Sequence, residues 1–277
     1  MLNKIPILPK VRGAQKAKKV LDTLVYGLIE ERREKENDVP HEDKKYDDLL
    51  TKLLHAQDTT ESETDIKMSD SQIRDEVMTI FIAGHETTAN ALTWTFYLLS
   101  QNPNIEKQLH AELDCILRDK DDNNRIPTVE DIPKLPYIEK VFRESMRLYP
   151  PIWSIGRYVD YNYTVGNYTI PIGSTLLMSQ YVMHHDPRYF SEPEQFNPSR
   201  WTEEFRAHLP RFSYFPFGGG IRGCIGESFA WMEGILVIAT IAQNWVFRLA
   251  PNHHVELDPM ITLRPKYGMK MALSSRK

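Results

Sequence analysis

The sequence is poor in cysteine. Cys115 and Cys224 are the only two in 277 residues, and they lie far apart. Two such thiols make no disulfide framework, so nothing demands an oxidising compartment. A stripe of one charge sign is also missing. Acidic and basic residues are mixed and the net charge is −4, which excludes the basic footprint of a nucleic-acid binder. No long apolar run is free of polar residues. Residues 77–99 come nearest, but His85, Glu86, Thr87 and Thr88 sit in their middle. A charge at the centre of a bilayer costs about 2.5–3.5 kcal/mol on insertion scales, so a buried helix is the better reading. The N-terminus, MLNKIPILPKVRGAQKAKK, has no continuous apolar stretch of the signal-peptide kind. The expected location is cytoplasmic, with no membrane segment in this chain. Internal repeats are missing too, and no sharp change in composition marks a second domain.

What is there is a globular composition, 41% hydrophobic and 26% charged. The first half reads as helices. Val20, Leu21, Leu24, Val25, Leu28 and Ile29 share one helical face, which the charged run EERREKEND should end. Leu49, Leu50, Leu53 and Leu54 repeat the pattern in a shorter helix, and residues 57–67 read as a polar linker. Ser69 then offers an N-cap, with Gln72 completing a capping box. No proline follows until Pro103. A helix over 70–100 would be roughly 46 Å long. Being apolar on most sides near its centre, it should cross the core. Ile105, Leu109, Leu113, Ile116 and Leu117 give an amphipathic helix, on which Cys115 is expected as a packed thiol. Residues 138–148 are helical, stopped by Pro150 and Pro151. After them the texture turns to Tyr, Thr, Val and Ile with Gly and Pro turns, which predicts short strands. Residues 227–244 form a last apolar helix, and 246–249 and 269–273 offer short strands.

Five of the thirteen glycines fall between residues 215 and 230, in FPFGGGIRGCIGESFA around Cys224. Gly218, Gly220 and Gly223 satisfy the spacing of a dinucleotide fingerprint. However, Pro216 stands where the donor strand should end, and no acidic residue follows about 20 positions on. A nucleophilic cysteine at a helix N-terminus would gain from the dipole. It needs a base, though, and the nearest histidine in sequence is His208. A zinc site would need ligands at short spacing, and Cys224 has none. One cysteine suffices only if the cofactor brings the other ligands, as haem does. Glycines would let the backbone lie close to a porphyrin. Arg222 would reach a propionate, and Phe217 would pack beside the sulfur.

Phe217-x-x-Gly220-x-Arg222-x-Cys224-x-Gly226 resembles the haem-binding loop of the cytochrome P450 family. Ala83-Gly84-His85-Glu86-Thr87-Thr88 resembles its central-helix motif. Glu144-Ser145-Met146-Arg147 resembles its E-x-x-R. Phe196-Asn197-Pro198-Ser199-Arg200-Trp201 resembles the coil motif that supplies a third member to that pair. The four occur in the family's order, and the resemblance covers essentially the whole chain. It implies a mainly α fold with a small β component, like the C-terminal, haem-binding part of a cytochrome P450 with its long central helix. Residues 1–277 would be one partial domain. Helices fill 1–68, the central oxygen-binding helix 69–100, and the E-x-x-R helix 137–148. A small sheet fills 157–182, the coil and cysteine loop 196–226, and the final helix 227–244. By this resemblance, the N-terminal portion of the family's fold is expected to have no counterpart in these residues.

The resemblance also implies chemistry. Cys224 would be the axial thiolate of a haem b iron, the metal ligand of an oxidoreductase. Phe217, Gly220, Arg222 and Gly226 would shape the cofactor site, with Ala83 and Gly84 where the central helix passes over the haem. Arg157 would bind a propionate, unless it is a solvent-facing strand residue. Glu86 and Thr87 would be the catalytic pair that delivers protons, Glu86 as a buried carboxylate beside a hydroxyl. The bland alternative is a back-bonded threonine next to a solvated acid. Glu144, Arg147 and Arg200 would form a structural network. The implied activity is a monooxygenase acting on an apolar small-molecule substrate. Its electrons would come from a partner such as a ferredoxin, a flavodoxin or a flavoprotein reductase. A non-catalytic remnant with weak or no haem binding is one alternative. A peroxygenase is another, against which the intact acid–threonine pair counts. The pairs His184-His185 and His253-His254 read as surface or packing residues, because neighbours on a strand face opposite ways.

Overall fold

The computed structural model describes residues 9–37, 48–58, 66–118 and 124–276. They fall into two compact units, residues 1–83 and 84–277.

In the first unit, α1 (Pro9–Asn37) and α2 (Leu49–His55) are followed by a small antiparallel ladder of β1 (Gln57–Asp58) and β2 (Ile66–Lys67). The middle of the expected polar linker, residues 59–65, lies outside the described residues. The charged run does not end α1, which continues through it to Asn37. Charge pairs explain the continuation. Glu31 bonds Lys35 one turn on, Arg32 reaches Asp48 at 2.6 Å, and Arg33 reaches Asp70 at 2.6 Å. The expected apolar face of α1 is only partly used. Val25 and Ile29 are buried against Ile73 and Met78, whereas Val20, Leu24 and Leu28 stay exposed.

The helix α3 (Asp70–Gln101) starts as the sequence predicts. Ser69 N–H donates to Gln72 Oε1 at 2.8 Å, and Gln72 N–H donates to Ser69 Oγ at 3.4 Å. These are the reciprocal bonds of a capping box. The expectation that α3 crosses a core through its middle needs correction. Phe81 to Glu86, near its middle, are exposed, between Ile73 and Met78, which are buried in the first unit, and Ala91, Trp94, Phe96, Leu98 and Leu99, which are buried in the second. Gly84 and Ala83 offer no side-chain bulk and Glu86 is charged, so this stretch gathers little packing of its own.

The core of the second unit lies among the end of α3, α4 (Pro103–Leu117), α5 (Pro136–Leu148) and α8 (Glu227–Ala242). Proline opens α4 and α5 at a position that needs no N–H. The first amides of α5, at Tyr137 and Ile138, donate to the Glu112 carboxylate at 2.8 and 3.0 Å. The buried stripe of α4 is Leu109, Leu113 and Leu117. Cys115 lies between two of these on the opposite side, so it is exposed rather than packed.

The strands make only two-stranded antiparallel ladders among the described residues. β3 (Ile155–Tyr158) pairs with β6 (Thr175–Met178), and β4 (Tyr163–Val165) pairs with β5 (Tyr168–Ile170). The region expected as sheet to residue 182 ends instead in a short helix, α6 (Gln180–His184), capped by Ser179. Another short helix, α7 (Glu203–His208), precedes the cysteine loop. After α8, β7 (Trp245–Leu249) pairs with β10 (Met271–Ser275), enclosing the pair β8 (Leu257–Pro259) and β9 (Leu263–Pro265). Neither histidine pair lies on a strand. His184 ends α6 and His253-His254 sit in a connection, so strand alternation is not what separates them.

Candidate functional site

Residues 215–226 form a tight loop ahead of α8. The amide of Gly218 donates to the Phe215 carbonyl at 2.9 Å, and that of Gly223 to the Gly220 carbonyl at 3.0 Å. Cys224 N–H closes the loop on the Phe217 carbonyl at 3.0 Å. Gly218 and Gly220 have φ of 73° and 67°, a region open to glycine and strained for other residues. Cys224 is an exposed free thiol two residues ahead of Gly226, the N-cap of α8. Ile221 and Ile225 on either side of it are 101% and 95% exposed. Arg222 is exposed as well. Phe217 turns its ring into the core beside Trp231, with centroids 5.9 Å apart.

The loop is backed by a buried ion network. Glu144 and Arg147 have no exposed surface. Arg147 meets the Glu144 carboxylate twice, Nε to Oε2 and Nη2 to Oε1, both at 2.9 Å. Arg200 Nε donates to Glu144 Oε1 at 3.0 Å, as does the backbone amide of Asn197. Trp201 Nε1 donates to Oε2 at 2.8 Å. Arg147 also donates to the carbonyls of His184, Pro193 and Gln195, and Arg200 donates to that of Ser191 at 2.8 Å. The two guanidinium groups thus bind the coil 184–200 to α5. Burying charge is costly unless every lone pair and proton is met, and here the carboxylate accepts five bonds. The tryptophan and asparagine of the FNPSRW stretch join Arg200 in this role, a part that the sequence reading missed.

On α3 the structure departs from the expected buried carboxylate. Glu86 is exposed, while Thr87 is half-buried and Thr88 buried. The Glu86 carboxylate is held from the side. Thr262, only 4% exposed, donates its hydroxyl to Glu86 Oε1 at 2.7 Å, and Asn90 Nδ2 donates to the Thr262 oxygen at 3.2 Å. Thr262 lies in the turn between β8 and β9. That turn is pinned by Trp94 Nε1 to the Leu263 carbonyl at 3.0 Å and by Trp153 Nε1 to the Met260 carbonyl at 2.9 Å. No local sequence signal points to Thr262, which is 176 positions away from Glu86. Arg157 lies half-buried on β3 and donates to the Gly156 carbonyl at 2.8 Å. Among the described residues, no three His, Cys, Asp or Glu side chains converge to hold a metal ion. No helix among them is long and apolar enough to cross a membrane.

A cytochrome P450 family model matches residues 3–271. The chain belongs to the cytochrome P450 family. Cyclooctatin synthase of Streptomyces melanosporofaciens is 43% identical over 216 residues, covering 78% of this chain and 45% of that protein. Cyclooctat-9-en-7-ol 5-monooxygenase of the same organism is 38% identical over 251 residues, covering 91% and 51%. The crystal structure of the cytochrome P450DA heme domain matches with a TM-score of 0.80 at 30% identity, covering 92% of this chain and 54% of that one. The chain spans about half the length of the curated relatives it matches. The fold is that of the haem-binding part of a cytochrome P450, mainly α with small β ladders. Members of this family are haem-thiolate oxidoreductases whose iron is bound through a cysteine.

The residues present fit a haem. The exposed thiol stands among exposed apolar side chains, as a macrocycle that brings its own four nitrogens requires. A Cβ on Gly226 would stand 3.8 Å from the Cys224 sulfur, and one on Gly84 or Gly220 would meet nothing within 4 Å. Close backbone approach to a flat ligand is therefore open at these three glycines.

Proposed function

We propose that this chain carries the haem-thiolate centre of a monooxygenase, with Cys224 as the axial ligand of the iron. The observation that carries the reading is the Cys224 loop. Its thiol is exposed at the head of α8, its frame is closed by the Phe217 carbonyl, and its turn needs glycine at positive φ. Phe217, Gly220 and Gly226 would form the bed of the cofactor, and Arg222 and Arg157 would meet its propionates. Ala83 and Gly84 would leave room on the helix that faces it. The haem, when bound, supplies the activation of dioxygen for insertion of one oxygen atom into an unactivated carbon.

The chain's own residues then serve that chemistry. Thr262 fixes Glu86 Oε1, so Oε2 is the oxygen that takes up and releases a proton. The Thr87 hydroxyl passes that proton on towards the site. The exposed apolar side chains favour an apolar small molecule as substrate. Electrons come from a separate ferredoxin, flavodoxin or flavoprotein reductase.

The test is the absorption spectrum of the purified chain, reconstituted with haem, reduced and exposed to carbon monoxide. A strongly red-shifted Soret band that disappears in C224S is the expected result. A band typical of histidine-ligated or free haem in the wild-type chain would overturn the reading. Survival of the red-shifted band in C224S would overturn the assignment of the ligand.

A further inference from the structure

The amide that begins the cysteine loop is held by a residue with no role so far. His184, the last residue of α6, has no exposed surface. Its Nε2 lies 2.9 Å from the backbone nitrogen of Phe215. The amide can only donate, so Nε2 accepts and the ring carries its proton on Nδ1. The ring lies 4.9 Å from that of Tyr214 and 5.6 Å, edge to face, from that of Phe215. Burial, with the positive charge of Arg147 nearby, pushes the imidazole down to about 3, so it is neutral at ordinary pH.

The same residue is tied at its other end. The His184 carbonyl accepts from Arg147 Nη1 at 2.9 Å, and Arg147 is locked to Glu144. A single residue thus joins the buried ion network to the first amide of the loop. From Phe215 onward the loop propagates its own geometry, because the Phe215 carbonyl accepts from Gly218 and the Phe217 carbonyl accepts from Cys224. The peptide that carries the Phe215 N–H adjoins, through the Phe215 Cα, the peptide whose carbonyl accepts from Gly218, so fixing the first sets where this frame starts.

We propose that His184 is a positioning residue for the cysteine loop: by accepting the Phe215 N–H it transmits the rigidity of the Glu144–Arg147 pair to the segment that presents the Cys224 thiol. The inference rests on the function proposed above only for what that thiol binds. The anchoring itself belongs to the chain without any cofactor.

Three variants of the full chain separate the acceptor from mere bulk. His184→Gln places an amide oxygen near the position of Nε2. His184→Asn is chemically alike but reaches only as far as Nδ1. His184→Leu fills space and accepts nothing. Amide hydrogen exchange is read by mass spectrometry on peptides covering 212–226, with α5 as the internal control. His184→Asn and His184→Leu should exchange about tenfold faster in the loop, the factor carried by one net hydrogen bond, while α5 stays protected. His184→Gln should stay close to wild type. If His184→Leu fails to fold, the Gln and Asn pair still decides.

Unchanged loop exchange in His184→Asn would overturn the proposal. So would loosening of the loop and α5 together in all variants, which marks a general packing role. Haem-loaded samples keep the two ideas apart. Selective loosening without a thiolate band in the wild-type chain would sink the function and leave the anchor standing. A normal thiolate band with equal loop exchange in all variants would do the reverse.

Discussion

Around Glu144 every charged group meets a partner inside the fold, whereas around Cys224 the side chains turn outward. Glu144 and Arg147 are wholly buried and Arg200 nearly so, with a side chain 5% exposed. Ile221, Cys224 and Ile225 are exposed. His184 joins the two regions through its ring and its backbone carbonyl, beside Tyr214, whose hydroxyl donates to the Arg143 carbonyl of α5. The first region uses charge to hold backbone, since most of the bonds donated by Arg147 and Arg200 end on carbonyls. The second leaves apolar surface and a thiol uncovered, the usual mark of a place where something binds. Rigidity and reactivity are thus assigned to different residues, which is how a site keeps its geometry while exposing a reactive atom.

Breaking the first region should cost most. Glu144→Ala would leave two buried guanidinium groups without their counter-ion, a loss of about 3–5 kcal/mol. Urea titration should show either a much lower midpoint or no cooperative transition. Acid attacks the junction more gradually. Burial depresses His184 from 6.5 to about 3 in the fold. Between those values the unfolded chain binds the proton more readily, so stability is full above about pH 6.5 and falls as pH drops. The slope is at most ~1.4 kcal/mol per pH unit. His110 and His185 are also depressed by burial and act in the same direction. The difference between wild type and His184→Gln isolates the part due to His184, and an equal pH slope in both would refute it.

Packing gives a third, similar effect. A Cβ on Gly234 of α8 would come within 2.3 Å of Phe142, which is itself held edge to face against Trp231. Gly234→Ala should cost about 1–3 kcal/mol by thermal or urea unfolding, because that ring has little room to move. The second region should answer least. Cys224→Ala removes an exposed thiol and should change the stability of the cofactor-free chain by no more than about 0.5 kcal/mol. In the folded chain Cys115 and Cys224 should both react promptly with an alkylating reagent, as intact mass will show. Slow labelling of Cys224 would blur the contrast between the regions.

Much of this was legible in the sequence, for reasons that are local. The capping box at Ser69 and Gln72 depends on residues three apart, and the leucine stripe of α4 on helical period. The pair Glu144 and Arg147 shares a helix face by spacing alone. The four motifs around residues 83–88, 144–147, 196–201 and 217–226 carry the resemblance to the family by residue type and spacing alone. The glycines around Cys224 were legible as room for close backbone approach, whereas the positive φ of Gly218 and Gly220 came from the fold.

Other features needed the fold, because they join residues far apart in the chain. Composition around Glu86 favours a buried acid. Only packing decides that it is exposed and held by Thr262 from the turn between β8 and β9. Periodicity assigned Val20, Leu21, Leu24, Val25, Leu28 and Ile29 to one apolar face, and tertiary contact buried only part of it. Adjacent histidines at 184 and 185 look alike in sequence. In the fold, His184 is buried against Phe215 and His185 ends outside the helix, since one turn of α6 sends them in different directions. The sequence by itself determined which chemistry is on offer, because residue type and short-range spacing are carried along the chain. Which groups are dry, paired or aimed at one another was decided only by tertiary structure, because burial and hydrogen bonding depend on neighbours that the chain brings in from a distance.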